Sequence, residues 1–168
     1  MELANASLYD GATSVAEAIS VAINKTKRDN VVISSGFNPN TKEVVNTLID
    51  NNKFNINYVD LVDYLFPEDY VFSEEDAAFV ISLPHYEGSA QDLTSIVQNA
   101  KAAGVITICY ADPSMLGILK SPGSMGFDIV VSEGQSMGSS LSFGGPTVGW
   151  FATRKELARL VPGRIIGE

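Results

Sequence analysis

One cysteine, one histidine and one tryptophan occur in 168 residues, and each scarcity excludes something. A lone Cys109 can form no internal disulfide, which points to a reducing compartment. Flanked by Val105, Ile106, Ile108 and Tyr110, it reads as an inert buried residue. A single histidine beside a single thiol cannot assemble the usual zinc sets, and the acidic residues lack calcium-loop spacing, so no metal is expected. Positive charge is also short, with 11 Lys and Arg against 20 Asp and Glu, a net charge of −9. The densest basic cluster, Lys25, Lys27 and Arg28, falls where a helix ends and cations complement its dipole, so no nucleic-acid partner is expected. No run approaches the roughly 18 apolar residues of a membrane span. Met1-Glu2 opens no basic segment with an apolar run behind it. A soluble, cytoplasmic protein with no membrane partner is expected.

What is present alternates between two periods. A helical pattern runs from Ala6 to about Lys25, with Leu8, Val15, Ala16, Ile19, Ala22 and Ile23 inward, Ser7 and Asp10 as its cap, and Gly11 weakening the first turn. Val31 to Ser34 reads as a strand, and Asn38 with Pro39 opens a second helix. Strands are expected at Asn55 to Leu61, Ala77 to Leu83, Val105 to Ala111, Phe127 to Val131 and Val148 to Thr153. Between them, Ser89 and Asp92 form a capping pair for a helix that stops at Gly104. A short helical piece at Ser114 to Leu119 and a last helix at Lys155 to Val161 complete the set. This alternation predicts a single α/β domain over residues 1–168, a three-layer sandwich around a mainly parallel sheet. Ligands of such sheets gather beyond the carboxyl ends of the strands. Those loops are 35–38, 84–89, 111–114 and 132–145.

Four features in these loops invite chemistry. His85 follows a strong strand and either faces a ligand or is an ordinary surface-loop histidine. Asp112 ends the most apolar strand and either caps the next helix or meets a cationic ligand group. The stretch from Gly134 to Gly145, and the one from Ser7 to Thr13, combine glycines and hydroxyls as phosphate-binding backbone does, without a Walker ending or a dinucleotide fingerprint. Their glycines alternatively serve only a tight turn. Between Lys120 and Arg154 there is no lysine, arginine, histidine or cysteine, so the glycine loop carries no evident reactive group.

"LANASLYDGATSVAEA" at 3–18 and "FDIVVSEGQSMGSSLSFGGPTVGWFATRKELARLVPGRIIGE" at 127–168 resemble the P-protein of the glycine cleavage system, glycine dehydrogenase (decarboxylating). "VVISSGFNPNTKEVV", "LPHYEGSAQDL" and "CYADPSMLGILKSPGSMGFDIVVSEGQ" follow the same family in order, so the likeness covers nearly the whole chain. It is to the subunit 1 type of the two-subunit form, of which this chain corresponds to most of a large domain. The resemblance implies the aspartate-aminotransferase type of pyridoxal-phosphate fold, with a seven-stranded sheet. It also places Gly134-Gln135-Ser136 at the family's His-Lys-Thr motif, so that Gln135 stands where the Schiff-base lysine would be. An amide forms no aldimine, and no catalytic residue is expected in this chain.

Further implications are that Asp112, His85 and Ser136 are vestigial cofactor-site positions, and that pyridoxal phosphate is carried by subunit 2. Subunit 2 and, through the complex, the lipoyl H-protein are the implied partners, in a heterotetramer; a homodimer is a further possibility for exposed sheet edges. Two other readings stand beside this one. One is an independent pyridoxal-phosphate aminotransferase or lyase using Lys120, and the other is a non-enzymatic small-molecule or phosphate-binding domain.

Overall fold

The computed structural model describes residues 1–6 and 8–165. Eight strands form one sheet in the order β3-β2-β4-β5-β6-β7-β1-β8. They are β1 (Leu3–Ala6), β2 (Asn30–Ser34), β3 (Asn55–Val59), β4 (Asp76–Leu83), β5 (Ile106–Ala111), β6 (Ile129–Glu133), β7 (Gly149–Thr153) and β8 (Arg164–Ile165). The block from β3 to β6 is parallel, while β7, β1 and the two-residue β8 add on antiparallel. Four helices accompany them: α1 (Gly11–Thr26), α2 (Pro39–Leu48), α3 (Thr94–Ala102) and the single turn α4 (Pro122–Met125). The expected mainly parallel α/β sandwich is therefore present, with one short strand more than the family's seven.

Strand β4, DAAFVISL, is buried at all eight positions, as a central strand covered on both faces must be. On one face lie α1 and α2, whose Val15, Ile19, Ala22 and Val45 pack on Val80, Ile108, Ile129 and Phe151. On the other, Ile96, Val97 and Ala100 of α3 join Phe79, Ile81, Cys109 and Phe127. There Phe66, Tyr70, Phe72 and Phe79 stack in tilted and edge-on pairs 4.9–5.4 Å apart, a favoured aromatic geometry.

Several boundaries differ from expectation. The helical pattern begins at Gly11 and not at Ala6, because residues 3–6 pair with β7 and β8 far along the chain. Asp10 caps α1 through a reciprocal box with Thr13; Ser7 lies outside the described residues. Gly11 is required and not merely tolerated, since a Cβ there would come within 2.8 Å of the Tyr110 ring. Asp92 still bonds the Thr94 amide at 2.9 Å, but Ser89 instead donates to the Tyr64 carbonyl. The last helix is a 3-10 segment, Lys155–Leu160. Among the described residues no helix is long and apolar enough to cross a membrane.

Candidate functional site

Strands β2, β4, β5 and β6 end at one edge of the sheet, where the chain turns out through Gly36, His85, Asp112 and Gly134. An open cavity of about 600 Å³ lies there, lined by Tyr110, Asp112, Glu133, Gln135, Ser136 and Ser139, with Leu141 at its rim. Asp112 and Ser136 meet in it, the serine hydroxyl donating to Asp112 Oδ1 at 3.2 Å. The same oxygen accepts the Ser114 amide at 2.9 Å and the Ser114 hydroxyl at 2.7 Å. Asp112 is thus the cap of the 3-10 turn Pro113–Gly117, one of the two roles open to it.

Glu133 was not singled out by sequence, yet it organises the site. Its Oε2 accepts the Gly11 amide at 2.9 Å, and its Oε1 accepts the amides of Gln135 and Val148, both at 3.0 Å. One carboxylate thereby ties the start of α1, the glycine loop and the approach to β7. A carboxylate ending an apolar strand before a glycine was the only signal available, and it does not reveal three partners from separate segments.

Those bonds also bear on the anion question. The amides of Gly11 and Thr13 at the start of α1 face Glu133 and Asp10. In the loop, the amides of Met137, Gly138, Ser139 and Gly144 bond carbonyls of the loop itself. These amides are therefore taken, and two carboxylates with no lysine, arginine or histidine line the cavity. Burial, reinforced by Glu133, Asp112 and Asp10, pushes the Tyr110 phenol up to about 12, so it stays a neutral hydroxyl.

Gln135 occupies the position of interest in a committed way. Its side-chain amide donates to the Gly144 carbonyl at 3.2 Å, clasping the far end of the loop. Gly145, at φ +63°, passes so near that a Cβ would lie 2.7 Å from Gln135 Nε2 and collide with the Ser140 carbonyl; only glycine fits this left-handed turn. Outside the clasp, Met137, Leu141 and Phe143 project into solvent.

His85 does not line this cavity and is not a surface residue. It is 2% exposed, packed where Gly36 leaves room: a Cβ on Gly36 would be 2.6 Å from His85 Nδ1. Among the described residues neither ring nitrogen has a hydrogen-bond partner. Burial lowers its pKa, against the opposing pull of Gln91 and the Glu87 carboxylate. The Gln91 amide is spent on Phe66, accepting its N–H and donating to its carbonyl. Lys120 lies elsewhere too, its ammonium 3.2 Å from Asp92 and 2.9 Å from the Thr94 hydroxyl beside a separate cavity of about 230 Å³. Asp92 is held down to about 2 by the Thr94 hydroxyl and amide and by Lys120. Cys109 is buried, which raises its pKa. Among the described residues no group of three or more histidine, cysteine, aspartate or glutamate side chains could hold a metal.

The sheet and its helices define the class first: this is the large-domain fold of the pyridoxal-phosphate-dependent transferases. Cystathionine gamma-lyase from Lactobacillus plantarum superposes with a TM-score of 0.71 over 94% of this chain and 41% of its own, at 14% identity, a likeness of fold alone. The family is narrower. Residues 1–168 match the model of the glycine cleavage system P-protein, and the chain belongs to that family. It is 43% identical, over its whole length and 39% of the relative's, to the probable glycine dehydrogenase (decarboxylating) subunit 1 of Geotalea uraniireducens (strain Rf4). A crystal structure of glycine decarboxylase (P-protein) of the glycine cleavage system, in inhibitor-bound form, superposes with a TM-score of 0.93 at 38% identity, covering 98% of this chain and 37% of that one. The chain thus spans about two fifths of the length of the relatives it matches.

Proposed function

We propose that this chain is part of a subunit 1 of glycine decarboxylase, a lysine-lacking partner that supports glycine decarboxylation and aminomethyl transfer to lipoyl H-protein by subunit 2. The observation that carries the reading is Gln135: it holds the glycine loop closed through Gly144 in a cavity without a cation. Family membership and the subunit 1 name of its relatives support the assignment.

The residues present do not fit pyridoxal phosphate as a resident cofactor. Among the residues lining the cavity there is no lysine to hold it covalently and no cation to meet its phosphate, and the Glu133 carboxylate opposes an anion. Only Asp112, with one oxygen unengaged by the turn it caps, retains a group of the right kind. The cofactor belongs to subunit 2, where it supplies the electron sink for loss of carbon dioxide.

Competition tests the proposal. Subunit 2 of a relative, assayed for glycine decarboxylation, is expected to need its full-length subunit 1, and this chain, titrated in, is expected to lower that activity by displacing it. Full activity of subunit 2 alone, or no effect of this chain at saturating concentration, contradicts the reading.

A further inference from the structure

His85 is the chain's single histidine, and no step of the proposed function uses it. Its ring is 2% exposed, and among the described residues neither nitrogen has a hydrogen-bond partner. A neutral ring tolerates such a site at modest cost, whereas an imidazolium buried without a partner does not. The loop above it is lightly tied. Its ties to other segments include the Tyr86 amide on the Gly36 carbonyl at 2.8 Å and the Ser89 hydroxyl on the Tyr64 carbonyl. Tyr86 and Glu87 stand in solvent, and a Cβ on Gly88 would meet nothing within 4 Å. Beside the loop an open cavity of about 510 Å³ is lined by Ser35, Asp60, Leu61, Asp63, Tyr64 and Glu87, three carboxylates with no cation. Leu61 connects the two places. It walls the cavity, and a Cβ on Gly36 would lie 3.0 Å from its Cδ1 and 2.6 Å from His85 Nδ1.

We propose that His85 is a pH-operated latch: protonation of its ring releases the 84–89 loop from Gly36 and turns the imidazolium toward the carboxylates of Asp60, Asp63 and Glu87. Closed, the loop keeps the ring neutral, since burial lowers its pKa against the pull of Gln91 and Glu87. Open, the ring regains water and gains three negative neighbours, both of which favour the charged form. The closed loop is therefore stable above the ordinary histidine value of about 6.5 and loses that stability as pH falls through it. The charges around the ring agree in sign. Segment 60–65 brings Asp60 and Asp63, its own loop brings Glu87, and segment 35–37 brings no charge. Asp112, at the end of neighbouring β5, is engaged by Ser114 and Ser136. The opposing charge, Lys42 of α2, is held on the Ser35 carbonyl at 3.1 Å. Through Ser89 and Tyr64 the opening also frees the turn Val62–Leu65, where Asp63 and Tyr64 hold φ of +50° and +64°, a costly backbone for a tyrosine. The latch rests on this geometry and not on the proposed function.

Because the histidine is single, isotope-labelled histidine gives one imidazole signal, and the test begins without a variant. The ring is titrated by NMR from about pH 7.5 to about pH 5.5, with backbone hydrogen exchange, corrected for its intrinsic rate, followed in parallel. Protection of the His85, Tyr86 and Gly88 amides is expected to fall about tenfold more than that of α1 and β4, in step with the ring. A ring that titrates while those amides stay protected overturns the proposal, as does a ring that stays neutral throughout. So does protection lost evenly over the whole chain, which is global unfolding. Replacing the three exposed-cavity acids together, Asp60→Asn, Asp63→Asn and Glu87→Gln, is expected to move the midpoint down by about half a pH unit; an unmoved midpoint overturns the proposal. His85→Gln is expected to keep the loop protected across the range, and acid release that persists in it assigns the switch to another group and overturns the latch. Should that variant not fold, the titration of the unaltered chain decides.

Discussion

After β4 the chain tucks a polar ring inward, whereas after β6 it turns apolar side chains outward. His85 is sealed against Gly36 with both nitrogens unpartnered among the described residues, and its loop is held by the packing around that ring together with backbone bonds from His85 to Ser89 and from Tyr86 to Gly36. Beyond β6, Met137, Leu141 and Phe143 stand in solvent, and the loop is held by the hydrogen bonds of Glu133 and Gln135. A loop that buries its ring as well as its polar bonds is part of the core. One that is fixed by polar bonds while offering apolar side chains to water is built to present a surface. The difference explains why a histidine with the credentials of a site residue lies outside the cavity, while an uncharged glutamine lies at its centre.

The largest expected effect comes from removing the anchor of the second loop. Glu133→Ala leaves three backbone amides without their acceptor and is expected to cost about 3 kcal/mol of stability, read by urea unfolding. A loss within experimental error would mean that water replaces the carboxylate and that the loop is not held as described.

Next is the titration of the first loop. Because burial depresses the folded pKa of His85, the unfolded chain takes the proton first, and stability is lost as pH falls below about 6.5. Thermal melts between neutral and mildly acidic pH should show that loss, and His85→Leu should flatten it. An unchanged pH profile in the variant would place the titration on another group.

Smaller still, Gln135→Ala opens the clasp on Gly144 and is expected to cost about 1 kcal/mol or less. Hydrogen exchange across residues 136–147 should nonetheless quicken clearly, and unaltered exchange would show that the glycines alone shape the loop. Phe143→Ser is expected to change stability by no more than about 0.5 kcal/mol. A marked drop in melting temperature would mean that Phe143 is buried in solution and that the contrast between the loops fails.

Strands β2, β4, β5 and β6 were legible as compact apolar runs, and β3 by the alternation of NINYV. Strand β1 was not: LANA carries no period-2 signal, and only its pairing with β7, some 150 residues away, makes it a strand. The α1 cap was half legible, with Asp10 identified but its partner Thr13 missed. At the site, the meaning of Gln135 came from a likeness to a family and not from composition, since nothing local distinguishes a clasping glutamine from a solvated one. Glu133 escaped notice because its role depends on three amides that only the fold brings together. The burial of His85 depended on Gly36, a residue whose importance is the absence of a side chain, and absence leaves no periodic trace.

The central claim is that this chain holds no covalent cofactor site. Incubation with pyridoxal phosphate, borohydride reduction, intact mass and peptide mapping test it most directly. The account predicts no site-specific adduct, with at most scattered low-level labelling of exposed lysines. A single lysine modified stoichiometrically in the folded chain, Lys120 above all, would contradict it and make this a cofactor-bearing protein in its own right.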